Sequence, residues 1–393
     1  MGFIDECSIQ NSIRLQFTYG VYFSYDVFNL ENLDLVNIVS KIEPESISAM
    51  SVFVDQGVLD SNRGLLDKIF LYFQTYRTRL RLLGEPLALP GGEGCKTDPI
   101  VLESIYKQLL KHNIDRHSFV LAIGGGAVLD TVGYAAATAH RGVRLMRMPS
   151  TALAQNDAGI GVKTGVNRYG KKNFIGAFAA PFAVINDSSF LSTLSERDRR
   201  SGIAEAIKVA LIRDQLFFEW LEANVKNLIH FDNETTLHMI KWCADLHLSQ
   251  ITKGGDPFET GSSRPLDFGH WAAHKLESMS MFELRHGEAV AIGIAIDTKY
   301  SLDSHRITNK DCNRIMSLLN NLGFELIHPE MTSRKENGEL VLLDGIEEFR
   351  EHLGGELTIT MLDSIGSGVE IHNICRNTME QAVTYLASKG KMA

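Results

Sequence analysis

The sequence has no CxxC pair, no apolar run long enough to cross a bilayer and no excess of positive charge. Each absence argues against a class of protein. The five cysteines, Cys7, Cys95, Cys243, Cys312 and Cys375, are odd in number and far apart, which speaks against a disulfide framework or a cysteine zinc site and suits a reducing compartment. The longest apolar run near the middle, Val290 to Ile296, is far short of a membrane span. The opening MGFIDECSIQ lacks a basic start followed by an apolar core, so no signal peptide is expected and the reading is a cytoplasmic protein. A net charge of −9 argues against a nucleic-acid-coating protein. An acidic chain that binds phosphates must gather its basic residues locally.

What is present is an ordinary globular composition, 44% apolar and 22% charged over 393 residues, which suggests two domains. Short β-rich runs at 51–54, 118–123, 143–148 and 182–185 alternate with helical stretches such as Pro99 to His112 and Ala127 to Ala139. That alternation predicts an α/β fold with a buried parallel sheet. After about residue 190 the pattern turns helical, over Leu194 to Asn224, Glu234 to Ile251, Trp271 to Met279 and Glu288 to Tyr300. Strand signals there are confined to Leu340 to Leu343 and Leu357 to Met361. The expected architecture is an N-terminal Rossmann-like parallel-sheet domain, 1–190, followed by a mainly α-helical metal-binding domain, 191–393.

Three groups of residues carry chemistry. The first is Phe119 to Asp130, a strand running into Gly124-Gly125-Gly126 and then a helix. Such a turn lets backbone approach a pyrophosphate at a helix N-terminus. It is not GxGxxG, and taken alone a tight turn is as good a reading. Asp55 after a strand, Glu93 and Lys96 in a glycine loop, and Ser150-Thr151 after Pro149 add groups suited to a dinucleotide across the strand ends. The second is Glu205, His270 and His286, one carboxylate and two imidazoles, the composition of a catalytic zinc site with an open position. His274 lies four residues after His270 and is assigned to proton handling instead of ligation. The third is a basic cluster of Lys163, Lys171, Lys172, Lys208 and Arg141. Taken singly, a lone histidine is more often a cap or core residue, and Lys171 and Lys172 read as solvated loop.

Together these strings resemble one family. Pro149 to Asp157, Gly161-Val-Lys163-Thr-Gly and Gly170-Lys-Lys172-Asn173-Phe-Ile-Gly-Ala-Phe178 look like the core signature of dehydroquinate synthases and related sugar-phosphate cyclases. Gly202-Ile-Ala-Glu205-Ala-Ile-Lys208, Phe268-Gly-His270 and His286-Gly-Glu288 look like its metal-site motifs. The resemblance implies NAD at Asp55, Glu93, Lys96, Gly124, Gly125, Gly126, Asp130, Ser150, Thr151, Phe190, Thr193 and Leu194. It implies zinc, with cobalt or another divalent ion left open, on Glu205, His270 and His286. It implies substrate contacts from Asp157, Lys163, Lys172, Asn173, Lys208, Glu259 and His274, with Arg141, Lys163, Lys172 and Asn173 near the phosphate. A homodimer and a small sugar-phosphate substrate follow, with neither nucleic acid nor membrane as partner. The implied chemistry uses NAD without net oxidation: a carbinol is oxidised, phosphate leaves, the ketone is reduced and an aldol closes the ring.

The sequence departs from dehydroquinate synthases where their substrate carboxylate binds. The usual Arg-x-Leu-Leu-Asn before Gly-His reads Ser263-Arg264-Pro265-Leu266-Asp267, and the lysine-rich stretch before Gly-Gly reads Phe349-Arg-Glu-His352-Leu-Gly-Gly355. Asp267 would repel a carboxylate. The segment Arg264 to Glu277 looks like the 2-epi-valiolone synthase branch, which cyclises sedoheptulose 7-phosphate. Arg264, Asp267 and His352 are therefore the expected specificity residues, with Asp267 also counted in the catalytic set. The alternatives are a 3-dehydroquinate synthase with a rearranged carboxylate site, a metal-dependent polyol dehydrogenase and a non-catalytic binding protein.

Overall fold

The computed structural model describes residues 11–41, 46–254, 266–352 and 356–389. Glu259 and Arg264 lie outside the described residues, as does the side chain of His352. The first part is a seven-stranded sheet in the order β1-β9-β6-β5-β2-β3, with β4 also pairing β2. The strands are β1 (Gly20–Ser24), β2 (Ser48–Asp55), β3 (Leu80–Leu82), β4 (Leu87–Leu89), β5 (Phe119–Gly124), β6 (Arg144–Pro149) and β9 (Ala183–Asp187). Every pairing in it is parallel. Both faces are covered, which is why β5 reads as a continuous apolar run. Phe119, Leu121 and Ile123 join Val52, Val54 and Tyr72 on one face. Val120 and Ala122 join Ile105, Val128 and Val132 on the other.

A hairpin of β7 (Lys163–Arg168) and β8 (Lys171–Phe178) stands apart from this sheet. It carries Lys163, Lys171 and Lys172 of the predicted basic cluster, whereas Lys208 lies on the helix Glu196–Arg213 and Arg141 on the turn Ala139–Arg141. From Glu196 onward the chain is mainly helical, with a small antiparallel pair, β10 (Ile359–Ser364) and β11 (Ser367–Ile371). Two expectations change here. The single helix expected from Leu194 to Asn224 is broken at Asp214, whose extended backbone and carboxylate cap the next helix through Leu216 and Phe217 N–H. Leu340 to Leu343 is not a strand but mostly a 3-10 turn, Val341–Leu343, with one bridge from Leu340 to Arg334. Four apolar residues cannot distinguish a buried turn from a strand by pattern alone.

The helix His270–Met279 and the helix His286–Asp303 pack tightly on each other. Their closest approach is backbone to backbone, at Gly269 (φ +77) and Gly293. A Cβ on Gly293 would collide with the Gly269 carbonyl, so this crossing requires glycine. Gly293→Ala is predicted to cost about 1–3 kcal/mol by forcing the helices apart. Thermal unfolding of the purified protein checks this, and an unchanged midpoint would contradict it.

Candidate metal and dinucleotide site

At the strand ends, Asp55 closes β2 and accepts the Gly57 N–H at 2.8 Å. Gly124 ends β5, and its carbonyl accepts the Ser150 N–H at 3.0 Å. Gly125 then caps the helix Gly126–Thr138 without any side-chain hydrogen bond. The first residues of that helix, Gly126 to Val128, line the cavity, where a helix N-terminus offers amide groups to a pyrophosphate. A Cβ on Gly91 would strike the Asp55 carboxylate, so this loop reaches the nucleotide edge only as glycine. All the expected NAD residues line one cavity of about 1800 Å³ except Gly124, which acts through its backbone. Lys96 is buried and bridges Asp130, at 2.7 Å, and the Asn173 side chain. Burial opposes its charge, but Asp130 and Glu93 outweigh burial and hold the ammonium above its ordinary pKa.

Of the three candidate metal ligands, His270 and His286 line the same cavity, and Glu205 lies behind them. Glu205 and Lys208 sit in a stretch of the helix Glu196–Arg213 that is buried without interruption from Ser201 to Ile212. Arg197, Ser201, Glu205 and Lys208 are spaced four, four and three apart and so share a face. Arg197 grips Glu288 at 2.5 and 2.6 Å, and Ser201 Oγ accepts the Gly287 N–H at 3.0 Å. One helix thus supplies a ligand and clamps the segment that carries His286.

Glu205 Oε1 lies 3.5 Å from His286 Nε2 and 3.8 Å from His270 Nε2. A tetrahedral ion with bonds of ~2.0–2.1 Å needs ligand separations of roughly 3.3 Å, close to these values. The remote nitrogens are engaged elsewhere, His270 Nδ1 by the Phe268 carbonyl and His286 Nδ1 by Glu277, each at 3.2 Å. Both Nε2 atoms are left to face the ion, an arrangement usual for ligating histidines. Glu205 is fully buried, and neither carboxylate oxygen has a regular hydrogen bond, although Lys208 Nζ stands 2.5 Å from Oε2. Burial opposes protonation of His286, yet Glu277 and Glu205 outweigh it and push its pKa up to about 9. His270 is shifted the other way, held well below its ordinary pKa by burial and by Lys208.

Around this centre, Asp157 projects from a π-helical turn, Ala154–Ala158, and meets His247 Nδ1 at 2.8 Å. Burial alone would raise Asp157, but His247 and Lys208 hold its carboxyl far below the usual range. Lys208 stays charged against burial because Glu205 and Asp157 face it. Lys172 pairs with Glu277 at 3.2 Å. The His274 ring lies 5.4 Å from that of His270 and 6.0 Å from that of His286. Lys163, Asp267 and His274 all line the cavity.

Of the expected phosphate residues, Lys163, Lys172 and Asn173 line the cavity and Arg141 does not. Arg141 lies on an exposed turn, Ala139–Arg141, and is not among the residues lining the cavity of its own chain. Asn173, at φ +54, turns its side chain toward Lys96 and its amide toward Asn167, so it ties the hairpin to the dinucleotide side. Glu277 and His247 were not anticipated as site residues. Glu277 had a signal, since it follows His270 and His274 by seven and three residues on one helix face. His247 had none, because its partner is 90 positions away in sequence.

Comparison with known proteins agrees with this geometry. Residues 86–201 match the 3-dehydroquinate synthase N-terminal family, and residues 202–343 match its C-terminal counterpart. A 3-dehydroquinate synthase of Nitrosospira multiformis is 37% identical over 300 residues, covering 75% of this chain and 80% of that protein. The solved 2-epi-5-epi-valiolone synthase of Streptomyces hygroscopicus, with NAD+ and Zn2+ bound, superposes with a TM-score of 0.85 at 25% identity, covering 97% of this chain and all (100%) of that one. A 2-deoxy-scyllo-inosose synthase complexed with carbaglucose-6-phosphate, NAD+ and Co2+ shares the fold with a TM-score of 0.73 at 20% identity, covering 92% and 95%.

If Glu277 orients His286, Glu277→Gln will weaken zinc binding about 10–100-fold, the range for loss of a carboxylate behind a ligating histidine. Competition against a chromogenic chelator measures this, and unchanged affinity would remove Glu277 from the metal centre.

Proposed function

The chain belongs to the 3-dehydroquinate synthase family, and from that premise we propose that it cyclises sedoheptulose 7-phosphate to a 2-epi-valiolone-type cyclitol. Its class is that of the family, an NAD- and metal-dependent carbon–oxygen lyase that eliminates phosphate. Bound NAD supplies reversible hydride acceptance, and the divalent ion, zinc in this reading, supplies polarisation of a carbinol or carbonyl oxygen. Glu205, His270 and His286 hold the ion, and the strand-end glycine cradle holds the dinucleotide.

The chain's own residues do the rest. Lys163 and Lys172 place positive charge along the cavity for the departing phosphate. Lys208, fixed between Glu205 and Asp157, opposes negative charge developing on substrate oxygens. His274, beside both ligand rings, carries a proton at the same oxygens. Glu259 remains in the proposed substrate set by resemblance. The hairpin β7–β8, reaching from Lys96 to Glu277, closes one side of the cavity against water. A division of the chain near residue 190 and a cytoplasmic homodimer belong to the same proposal. Among the described residues, no helix is long and apolar enough to cross a membrane.

The observation that carries the substrate assignment is the charge pattern in the second half of the cavity. Asp267 lines it, close enough to add to the field on Lys208. Two lysines at that end are already matched, Lys275 with Glu348 at 2.5 Å and Lys171 with Glu351 at 3.6 Å. A substrate carboxylate would meet Asp267 and paired cations, whereas hydroxyl groups can donate to Asp267. The second reading, 3-dehydroquinate synthase, is favoured by the names of the curated relatives, 37% and 36% identical in two cases.

The purified protein with NAD and zinc is expected to release phosphate from sedoheptulose 7-phosphate, without net NADH, and to yield a cyclitol visible by NMR. Its kcat/KM should exceed that for the seven-carbon keto acid phosphate by at least ~100-fold, equivalent to about 2.7 kcal/mol. Turnover of the keto acid phosphate alone would establish the second reading instead. Asp267→Asn should move the ratio toward the keto acid by about tenfold, roughly 1.4 kcal/mol. An unmoved ratio would take Asp267 out of substrate selection.

A further inference from the structure

The two helices that carry the histidine ligands hold each other. Glu277, on the His270 helix, binds His286 on the other. A return contact runs from the His286 helix through Asp297, which is fully buried. Its Oδ2 accepts the Gly269 N–H at 2.9 Å, and its Oδ1 accepts the Trp271 Nε1–H at 2.9 Å. These two donors belong to the residues on either side of His270. Gly269 is the helix cap and has no side chain with which to cap it. Asp297, from a neighbouring helix, instead accepts the N–H of the cap residue and so anchors it. The contact is possible because Gly293, one turn earlier on the same face, lets the two backbones meet.

Burying a carboxylate is costly unless its partners are well placed. Asp297 commits both oxygens to the flanks of one residue. We propose that Asp297 is a positioning residue for the metal ligand His270, fixing the first turn of its helix through Gly269 and its side-chain direction through Trp271. The His270 ring itself is held by the 3.2 Å contact of Nδ1 with the Phe268 carbonyl, within the same turn, and by edge contacts with the His274 and His286 rings. Asp297 is thus the long-range counterpart, for His270, of what Glu277 is for His286. The inference rests on Glu205, His270 and His286 being the ligands.

The hydrogen bonding makes a distinctive prediction. In Asp297→Asn one oxygen becomes an NH2 group, which must face either the Gly269 N–H or the indole N–H, donor against donor. Removing the indole donor with Trp271→Phe relieves this conflict. The introduced amide's oxygen can then accept from Gly269 while its NH2 faces the ring. Equilibrium titration with Co2+ alone, read from the visible spectrum, is expected to show Asp297→Asn binding about 10–100-fold more weakly than the unaltered protein. Trp271→Phe should bind about three- to tenfold more weakly, and adding Asp297→Asn to it should cost little more, a non-additive pair. NAD affinity, set by the strand-end cradle, should stay within about twofold throughout.

Unchanged Co2+ affinity in Asp297→Asn overturns the proposal. So does a parallel fall in Co2+ affinity, NAD affinity and thermal stability, which is the behaviour of a simple core lesion. If Asp297→Asn does not fold, Trp271→Phe decides alone, since Co2+ affinity equal to that of the unaltered protein refutes the role. Failure of the ligand assignment itself looks different, with Glu205→Ala binding Co2+ as well as the unaltered protein does.

Discussion

A carboxylate without access to water, set in the middle of a helical core, is the constraint on which the structure depends. Glu205 has apolar neighbours on its own helix on both sides, from Ile203 to Ile212. Such a group destabilises the fold by several kcal/mol unless positive charge meets it. Lys208 approaches one oxygen, and two imidazole nitrogens approach the other. The helices bearing those imidazoles are fixed in turn by Arg197, Ser201, Glu277 and Asp297. Six buried polar residues of the second half, Ser201, Glu205, Lys208, His270, Glu277 and Asp297, therefore serve one point. That expense is understandable if the point binds a cation and acts on a substrate.

The first half is organised around a different need, free backbone amides beside glycines at the strand ends. The two halves meet through a small apolar cluster, Ile160 and Val184 against Ala244, and through polar contacts. Asp157, from the chain segment after β6, meets His247 on the helix Asn233–Lys253. Lys172, from the hairpin, meets Glu277. Asn173, its neighbour, meets Lys96 beside the glycine turn. The hairpin is thus bonded on one side to the dinucleotide cradle and on the other to the residue behind His286. Both contacts come from the same short strand, β8.

Much of this was legible in the sequence for physical reasons. Strands covered on both faces show as uninterrupted apolar runs, as in Phe119 to Gly124. Glycines at close approaches and helix ends stand out, and the ligand-bearing strings are contiguous. What was not legible depends on contacts between distant positions. Nothing local marks His247 as the partner of Asp157, or Asp297 as the partner of Gly269 and Trp271. Asp214 reads as one polar residue in a helical stretch until its carboxylate is seen capping Leu216 and Phe217. Arg141 had the right charge, but its backbone turns it outward, away from the cavity of its own chain.

The central claim is that Glu205, His270 and His286 together hold a divalent ion at the heart of the reaction. Anomalous X-ray scattering recorded on crystals of the zinc-loaded protein, above and below the zinc absorption edge, tests it most directly. One strong peak per chain is expected, within bonding distance of Glu205 Oε1 and of Nε2 of both histidines. A peak elsewhere, or no peak in a protein that turns over its sugar phosphate, would contradict it.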